Sequence, residues 1–475
     1  MVVAIKDVRQ TQPPTPPAAA PEVKPVATLA VASIATALVL IVFTLPLTTL
    51  TSTARAISAG PGAQAWILSG MSVGAASGLL GSGASSDDYG RKRTFLAGTL
   101  VLALASVGGA LATTAFLLIV ARIAQGLGGA AILACGLGLI GQIFPGRALA
   151  RATAIWAGAL GAGVAVGPII SSELAAFGGW TIPYWCSAAA SLVLALAGRL
   201  LLAESRADNP RRVDIAGTLL LGFGMAALLA GMTQSRTGWD QPLVYVLLLG
   251  GLALLAAFVA VEKRIASPML DLSLFRRPDF AGATVAALAS GAGVLSIMSF
   301  IPMLLERAMG ASTMTGAVVL MAWSATSAVT AIAARWLPMA PRNLLIGGLL
   351  ACAAGQFAMY GLQPGSPIVS LLPGMFLAGA ANGILNAALG RQAVASVPAD
   401  RSAMGSGANN TARYLGSATG LTVCAVLITH ASGAAGLLSG WNTAVLVTTA
   451  FSLLGAAAVF FARPCDRIAR PNWKR

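Results

Sequence analysis

The sequence predicts an all-α polytopic membrane protein with fourteen transmembrane helices and both termini in the cytoplasm. Of its 475 residues, 57% are hydrophobic and only 9% are charged, whereas a soluble domain carries about 25% charged residues. A soluble globular protein is therefore excluded, because too few polar side chains exist to cover its surface. Disorder over most of the chain is excluded as well, since the apolar content is too high.

The apolar residues are grouped in runs that are long enough to cross a bilayer, which takes about 20 residues. The connections between them are short, so the sequence predicts no sizeable soluble domain. The fourteen runs lie at about 27–52, 63–86, 94–113, 116–143, 152–173, 183–203, 213–232, 242–262, 279–304, 313–335, 343–361, 367–390, 404–430 and 440–462.

The basic residues fall almost entirely on one side of this predicted topology. Counted from a cytoplasmic N-terminus, 25 of the 30 lysines and arginines lie in inner loops, in the tails or at inner helix ends. The outer loops hold only Arg55, Arg236 and Arg307. This asymmetry follows the positive-inside rule. The net charge of +15 is then a topology signal that requires no nucleic-acid partner.

The loop after the second run combines an acid, a glycine and a basic cluster at a tight inner turn. Asp87 can cap the following helix and pair with nearby basic residues such as Arg91 and Lys92. Gly90 permits the turn. The alternative is a positive-inside loop whose charges are simply solvated.

Two arginines lie inside apolar runs. A charged side chain costs about 3 kcal/mol or more at the bilayer centre, so it normally faces a cavity or a partner. Arg122 is followed by Gln125 in the fourth run, and the alternative for Arg122 is that it snorkels outward. Arg413 lies about 15 Å into the thirteenth run and is the deepest charge in the chain.

Four asparagines accompany the deep arginine. Asn382 and Asn386 share one face of the twelfth run, while Asn409 and Asn410 precede Arg413. They could offer polar contacts to a ligand. Interhelical hydrogen bonding is an equally good explanation.

The fifth run carries a face for close helix approach. Gly163 and Gly167 form a pattern of small residues four apart. Pro168 leaves one backbone carbonyl without its helical donor and bends the helix. Tight packing alone would also explain these residues.

The acidic residues lie mostly in loops or at helix ends. Glu173 lies at the outer end of the fifth run. It could pair with an outward-snorkelling Arg122 and relay protons, although an acid at a helix end is more often solvated. His430, the sole histidine, lies near the outer end of the thirteenth run.

Several motifs together resemble the fourteen-helix drug:proton antiporter family of the major facilitator superfamily. The loop resembles the superfamily's signature loop, which locks the inward-closed state, and the fourth run resembles its arginine motif. The fifth run is similar to the antiporter motif of drug exporters. The segments are Gly83–Arg93, Arg122–Ala130, Gly158–Pro168 and, opening the thirteenth run, Ser406–Gly416.

The chain departs from the family pattern at four places. Ser85 replaces a large apolar residue and Asp88 a basic one in the signature loop, and Ser171 replaces a glycine after Pro168. The first run contains no acid, whereas the family usually has an aspartate there.

The resemblance implies two six-helix bundles separated by two inserted helices, with the substrate site between the bundles near the midplane. The Pro/Ala-rich N-terminal tail is expected to be disordered. The predicted units are a tail at 1–26, bundles at 27–203 and 279–462, the inserted segment at 204–278 and a basic tail at 463–475.

The predicted function is secondary active export of amphiphilic small molecules by alternating access coupled to proton influx, in the bacterial inner membrane. The alternatives are a proton-independent facilitator, a narrow exporter of neutral or anionic metabolites, and a sensor without transport. The expected partners are the lipid bilayer, a small-molecule substrate and protons, with the chain a monomer that needs no cofactor or metal. An enzyme is not expected, because the nucleophile-elbow pattern Gly70–Gly74 lies inside an apolar run.

Overall fold

The computed structural model describes residues 25–206, 214–235, 238–265, 268, 270–429 and 433–462. Every regular element in these ranges is a helix. The two predicted tails, apart from Pro25 and Val26, lie outside the described residues, as does His430.

The N-terminal half consists of long helices joined by short turns, several of which begin with a proline. Proline suits the first turn because its missing N–H would have no helical acceptor there. The helices are α1 (Pro25–Thr44), α2 (Pro46–Ala56), α3 (Pro61–Tyr89), α4 (Arg91–Ala110), α5 (Ala115–Ile143), α6 (Gly146–Gly178) and α7 (Ile182–Leu201). Two further helices follow, α8 (Ile215–Gln234) and α9 (Pro242–Glu262).

The C-terminal half also consists of long helices joined by short turns. Its first long helix is divided into three short ones, α10 (Pro278–Ser290), α11 (Ser296–Ser299) and α12 (Ile301–Met309). The helices that follow are α13 (Thr313–Ala333), α14 (Pro341–Phe357), α15 (Leu372–Ala395), α16 (Ser402–Thr429) and α17 (Gly433–Phe461). A π-helical turn, Gly291–Leu295, joins α10 to α11.

The described part of the chain holds 13 helical segments that are long and apolar enough to cross a membrane. Each predicted run coincides with a helix, and the run at 343–361 corresponds to α14, which has 17 residues. A 17-residue helix is at the lower end of the length that spans a bilayer. The chain is thus a multi-pass membrane protein, and the count of fourteen crossings stays a prediction for α14.

Two large hydrophobic cores and a smaller one around Ile67 and Tyr184 organise the described helices. One large core contains mainly side chains of α1–α9, and the other large core contains side chains of α10–α17. We call α1–α7 the N bundle and α10–α17 the C bundle. The inserted helices α8 and α9 pack on each other, and α8 also packs along α3. The exact domain boundaries stay a prediction.

Both bundles begin with a helix that a proline interrupts near its middle. Pro46 follows Leu45, where α1 ends and α2 begins, and Pro302 is the second residue of α12, just after the break at Phe300 between α11 and α12. Because proline has no N–H, it leaves the carbonyl four residues earlier without a helical donor. The two interrupted helices face the space between the bundles, which is where the candidate site lies.

Candidate functional site

A central cavity of about 130 Å³ lies between the two bundles. Its 20 lining residues come from α1, α2 and α6 of the N bundle and from the 291–299 segment, α13, α15 and α16 of the C bundle. The wall is mainly apolar, and Phe43, Trp323 and Tyr414 contribute aromatic rings. The polar groups of the wall are concentrated on the C bundle.

Arg413 is the charged group of this cavity. It donates from Nη2 to Oδ1 of Asn410 at 2.7 Å and from Nη1 to Oδ1 of Asn386 at 3.4 Å. Its guanidinium carbon lies 5.8 Å from the centre of the Tyr414 ring. The side chain is half-buried, which leaves part of the guanidinium facing the cavity. The deepest charge predicted from the sequence therefore lies at the interface of the bundles.

The four predicted asparagines separate into two groups. Asn382 and Asn386 line the cavity from one face of α15, and Asn382 donates to Oγ of Ser327 at 3.0 Å. Asn410 supports Arg413. Asn409 instead donates to the carbonyl of Ala283 on α10 at 3.1 Å, so it joins two helices of the C bundle. Asn382 and Asn386 thus fit the interpretation as cavity-lining polar groups, whereas Asn409 fits the interpretation as an interhelical hydrogen bond.

Arg122 and Gln125 are fully buried and lie outside the lining of the central cavity. Arg122 donates from Nη1 to the carbonyl of Val42 at 2.7 Å and from Nη2 to that of Phe43 at 3.1 Å. It also donates to Gln125 at 2.9 Å, and Gln125 donates to Ser106. The outward-snorkelling alternative is wrong, because no part of Arg122 is exposed.

Arg122 binds the carbonyl groups at the end of α1, where Pro46 interrupts the first helix. Pro46 has no N–H to give to the carbonyl of Val42, and Arg122 supplies that donor. A guanidinium has five N–H donors, so it can hold several carbonyls at once. The arginine therefore fixes the bend between α1 and α2, next to the cavity-lining Phe43 and Leu47.

Glu173 does not pair with Arg122. Its side chain is exposed near the end of α6. Among the ion pairs of the described residues, none involves Glu173. The relay through a Glu173–Arg122 pair is therefore not formed in this structure, because Arg122 points inward to α1.

The signature loop joins the two bundles at the end of the molecule that carries the basic loops. Asp87 and Arg91 form a fully buried ion pair at 2.5 Å. Asp87 also accepts hydrogen bonds from the backbone N–H groups of Met404 at 2.9 Å and Ala403 at 3.3 Å. These N–H groups begin α16 and have no helical acceptor, so a carboxylate is stabilised there.

Arg91 extends this contact to other segments. It donates to Oε1 of Gln142 on the N bundle at 2.5 Å and to the carbonyl of Asp400 at 2.8 Å. Gly90 has a φ of +122°, a conformation that favours glycine, and a Cβ there would lie 2.6 Å from Oε1 of Glu204. Lys92 contributes its backbone N–H, which donates to the same Glu204 oxygen at 3.1 Å.

Asp88, a departure from the family pattern, makes its own contact between the bundles. Its Oδ1 lies 2.6 Å from Nη1 of Arg401, and the two side chains are 10% and 9% exposed. The acid that replaces the usual basic residue thus adds an ion pair to the contact between the two bundles. We call Asp87, Asp88, Arg91 and Arg401 the clamp.

The glycines of the fifth run bring α6 against α1. A Cβ on Gly163 would lie 2.6 Å from the carbonyl of Ala37, and one on Gly167 would collide with Thr44. Pro168 lies inside α6, and its carbonyl accepts from Thr48 at 3.3 Å. The close helix approach predicted from this pattern is present, and it positions the cavity-lining Val164.

Comparison with known proteins identifies the architecture. The Major Facilitator Superfamily sequence profile matches residues 32–421. The chain is a member of the major facilitator superfamily. It is 30% identical to the puromycin resistance protein pur8 of Streptomyces alboniger over 81% of this chain and 78% of that protein. It is 31% identical to a probable actinorhodin transporter of Streptomyces coelicolor, over 82% and 70% of the two chains.

The fold of this superfamily member also matches a solved structure. The human organic anion transporter MFSD10 aligns with a TM-score of 0.66 over 94% of this chain and 100% of that chain. The sequence identity is 17%, so this likeness shows the fold alone. The multi-pass architecture and its location in the bacterial inner membrane agree with the sequence prediction.

Two features of this major facilitator site were missed by sequence reasoning. The π-helical turn before α11 places Leu295 and Met298 on the cavity wall, as π-helical turns often do at functional sites. The acceptor of Arg122 was missed too, although Pro46 was a visible signal for an unpaired carbonyl.

Proposed function

We propose that this major facilitator protein exports amphiphilic small molecules by alternating access. The observation that carries the proposal is the central cavity, which is lined by both bundles and is mainly apolar with a few converging polar groups. Ligand pockets typically have this composition. A site made from two bundles can change its access when the bundles move relative to each other.

The described conformation is contracted around the cavity. Its volume of about 130 Å³ is below the range of about 300–1,000 Å³ typical of sites for drug-sized ligands. The clamp holds the basic ends of the bundles together through the contacts of Arg91 with Asp400, Asp87 with Met404 and Asp88 with Arg401. We therefore assign this conformation to the part of the cycle in which the basic side is closed, and the positive-inside rule places that side in the cytoplasm.

The relatives support export as the direction. The similar proteins of Streptomyces carry the names puromycin resistance protein and probable actinorhodin transporter, and resistance is the expected consequence of removing a toxic compound from the cell. Proton coupling stays a prediction from the family resemblance. The residues that line the central cavity include no carboxylate that could carry the proton.

A cell-based comparison tests export. Wild type, Arg413→Ala and Arg307→Ala are expressed in a pump-deficient bacterial host and exposed to cationic, neutral and anionic amphiphilic antibiotics. Arg307 is exposed in the last turn of α12, so its variant is the matched control. We expect wild type and Arg307→Ala to lower cellular accumulation of at least one compound several-fold, and Arg413→Ala to lose this effect.

The same experiment can overturn the proposal. If wild type lowers the accumulation of no compound relative to an empty vector, although it reaches the membrane, the protein is not an exporter of amphiphiles. Ligand binding without transport in vesicles would then favour the sensor.

A further inference from the structure

The central cavity carries a positive charge and no negative charge on its lining side chains. Among its 20 lining residues, all of which the structure describes, Arg413 is the single charged side chain. The surrounding wall consists of apolar side chains, hydroxyls and the amides of Asn382 and Asn386. An unneutralised cation in such surroundings is unfavourable, and intramembrane cations normally have a partner. A negatively charged ligand would supply one.

Arg413 has donors left for such a ligand. A guanidinium carries five N–H groups, and the hydrogen bonds within the described residues use two of them, to Asn386 and Asn410. The two amide oxygens hold the guanidinium in place but do not neutralise it. Arginine binds a planar anion such as a carboxylate with two parallel hydrogen bonds. The chemistry of the group at the centre of the cavity therefore fits an anionic ligand.

The wall around Arg413 fits an apolar body attached to that anion. Phe43 of α1 and Tyr414 of α16 meet edge to face with their ring centres 6.3 Å apart, so aromatic rings of both bundles converge there. Trp323 adds a third ring from α13. A flat aromatic ligand can lie against these rings while its charged group reaches Arg413.

A second arginine lies on the cytoplasmic side of the cavity. Arg391 follows Asn386 on α15, and its Nε and Nη2 are buried without a hydrogen-bond partner in the described part of the protein. Ala387 and Val394, which share its helix face, belong to the core of the N bundle. A Cβ on Gly141 of α5 would collide with Val394. Arg391 thus lies at the seam that opens when the clamp releases.

From these observations we propose that the substrate is an amphiphilic anion, whose charged group pairs with Arg413, and that the membrane potential drives its exit. The inference rests on the proposed export function and names its substrate class and driving force. Arg391 then supplies a second cation beside the path of the anion, between the clamp and Arg413. No carboxylate lines the cavity in the described structure, so the proposed cycle assigns no proton to an acid on the cavity wall.

The driving force follows from the charge that moves. One elementary charge is balanced by a tenfold concentration ratio for every 59 mV. A potential of about 100 mV, negative inside, therefore supports about a 50-fold outward accumulation of a monoanion. An exported monocation would face the same potential as an obstacle and would need a coupled proton.

The test uses the purified full chain in liposomes with two probes that share one aromatic body. The probes are pyrene sulfonate and the (pyrenylmethyl)trimethylammonium cation, and the potential is set with potassium and valinomycin. We expect the anion to accumulate on the positive side by about 50-fold at about 100 mV. A pH gradient at zero potential should give no accumulation. The protein can be inserted into the liposome membrane in either orientation, because a facilitator transports its substrate in both directions.

Variants separate the charge from the fold. Arg413→Met should lose transport of the anion at least tenfold, and Arg413→Lys, which keeps the charge, should retain a larger part. Arg391→Gln should lower the rate of the anion while leaving its accumulation ratio unchanged. Arg307→Ala is the control. All variants are checked for monodisperse behaviour in detergent before reconstitution.

Three outcomes overturn the inference: transport of the cation in preference to the anion, accumulation that follows the pH gradient at zero potential, or anion transport by Arg413→Met at the wild-type rate. The first two leave export itself intact. If neither probe moves in wild type, the anion proposal fails, and export is then decided by the cell-based comparison alone.

Discussion

Removal of one charge from the Asp88–Arg401 pair should open the basic side of the protein. The distance of 2.6 Å between the charged atoms corresponds to an attraction of about 6 kcal/mol in an effective dielectric constant of about 20. Desolvation offsets most of it, because the side chains are only 10% and 9% exposed. We expect a net coupling of about 1–2 kcal/mol, which changes the ratio of open to closed molecules about 5- to 30-fold.

The assay is a distance measurement between spin labels on the two bundles. Arg147→Cys and Met339→Cys place the labels at exposed positions near the basic ends, in a background without the five native cysteines. Asp88→Asn should increase the population with a longer distance. Arg93→Gln is the matched control, because the Arg93–Glu204 pair lies at 3.6 Å with Arg93 78% exposed and does not join the bundles.

A double-mutant cycle decides whether the two residues act on each other. Asp88→Asn and Arg401→Gln together should open the protein less than the sum of their separate effects, by the net coupling. Exchange of the two charges, with Asp88→Arg and Arg401→Asp, should restore part of the closure. The reasoning is refuted if Asp88→Asn leaves the distance distribution unchanged while Asp87→Asn broadens it.

Three further predictions concern residues around the cavity. Arg122→Met should lower the thermal unfolding temperature of the purified protein, because the carbonyl of Val42 loses its donor at a cost of about 1–3 kcal/mol; an unchanged temperature would contradict this role. Gly163→Val should abolish folded protein in size-exclusion profiles, whereas Gly347→Ala, whose added Cβ would meet no atom within 4 Å, should express normally. Asn386→Ala should weaken transport with little loss of stability. Asn409→Ala, which removes the hydrogen bond to Ala283, should lower the unfolding temperature with little loss of transport. Transport and thermal unfolding measured on both variants would show this difference.

The fold could be predicted from the sequence because each membrane helix requires a run of about 20 mostly apolar residues, which is visible in the sequence. Each apolar run corresponds to a helix, and the basic loops set the orientation. Arg413 could be placed at the centre from its depth in one run, since a charge at that depth needs a polar surrounding. These predictions depend on single segments and need no knowledge of how helices meet.

The remaining features depend on pairs of segments that are distant in sequence. The contact of Asp88 with Arg401 joins the last turn of α3 to the 3₁₀ turn before α16, 313 positions away, and no periodicity in either segment indicates it. The orientation of Arg122 depended on which neighbour offered a free acceptor, and Pro46 lies on another helix. Asn409 and Asn410 are adjacent in the chain, yet the helix turns one toward α10 and the other toward Arg413.

The charge that moves with the substrate distinguishes export of an anion driven by the membrane potential from proton-coupled export. Liposomes containing the protein are adsorbed to a solid-supported membrane, pyrene sulfonate is added, and the current is recorded with and without a pH gradient. We expect a current with the sign of negative charge moving with the probe, unchanged by the pH gradient and absent in Arg413→Met. An electrically silent transport, or a current that appears only with a pH gradient, would contradict this expectation.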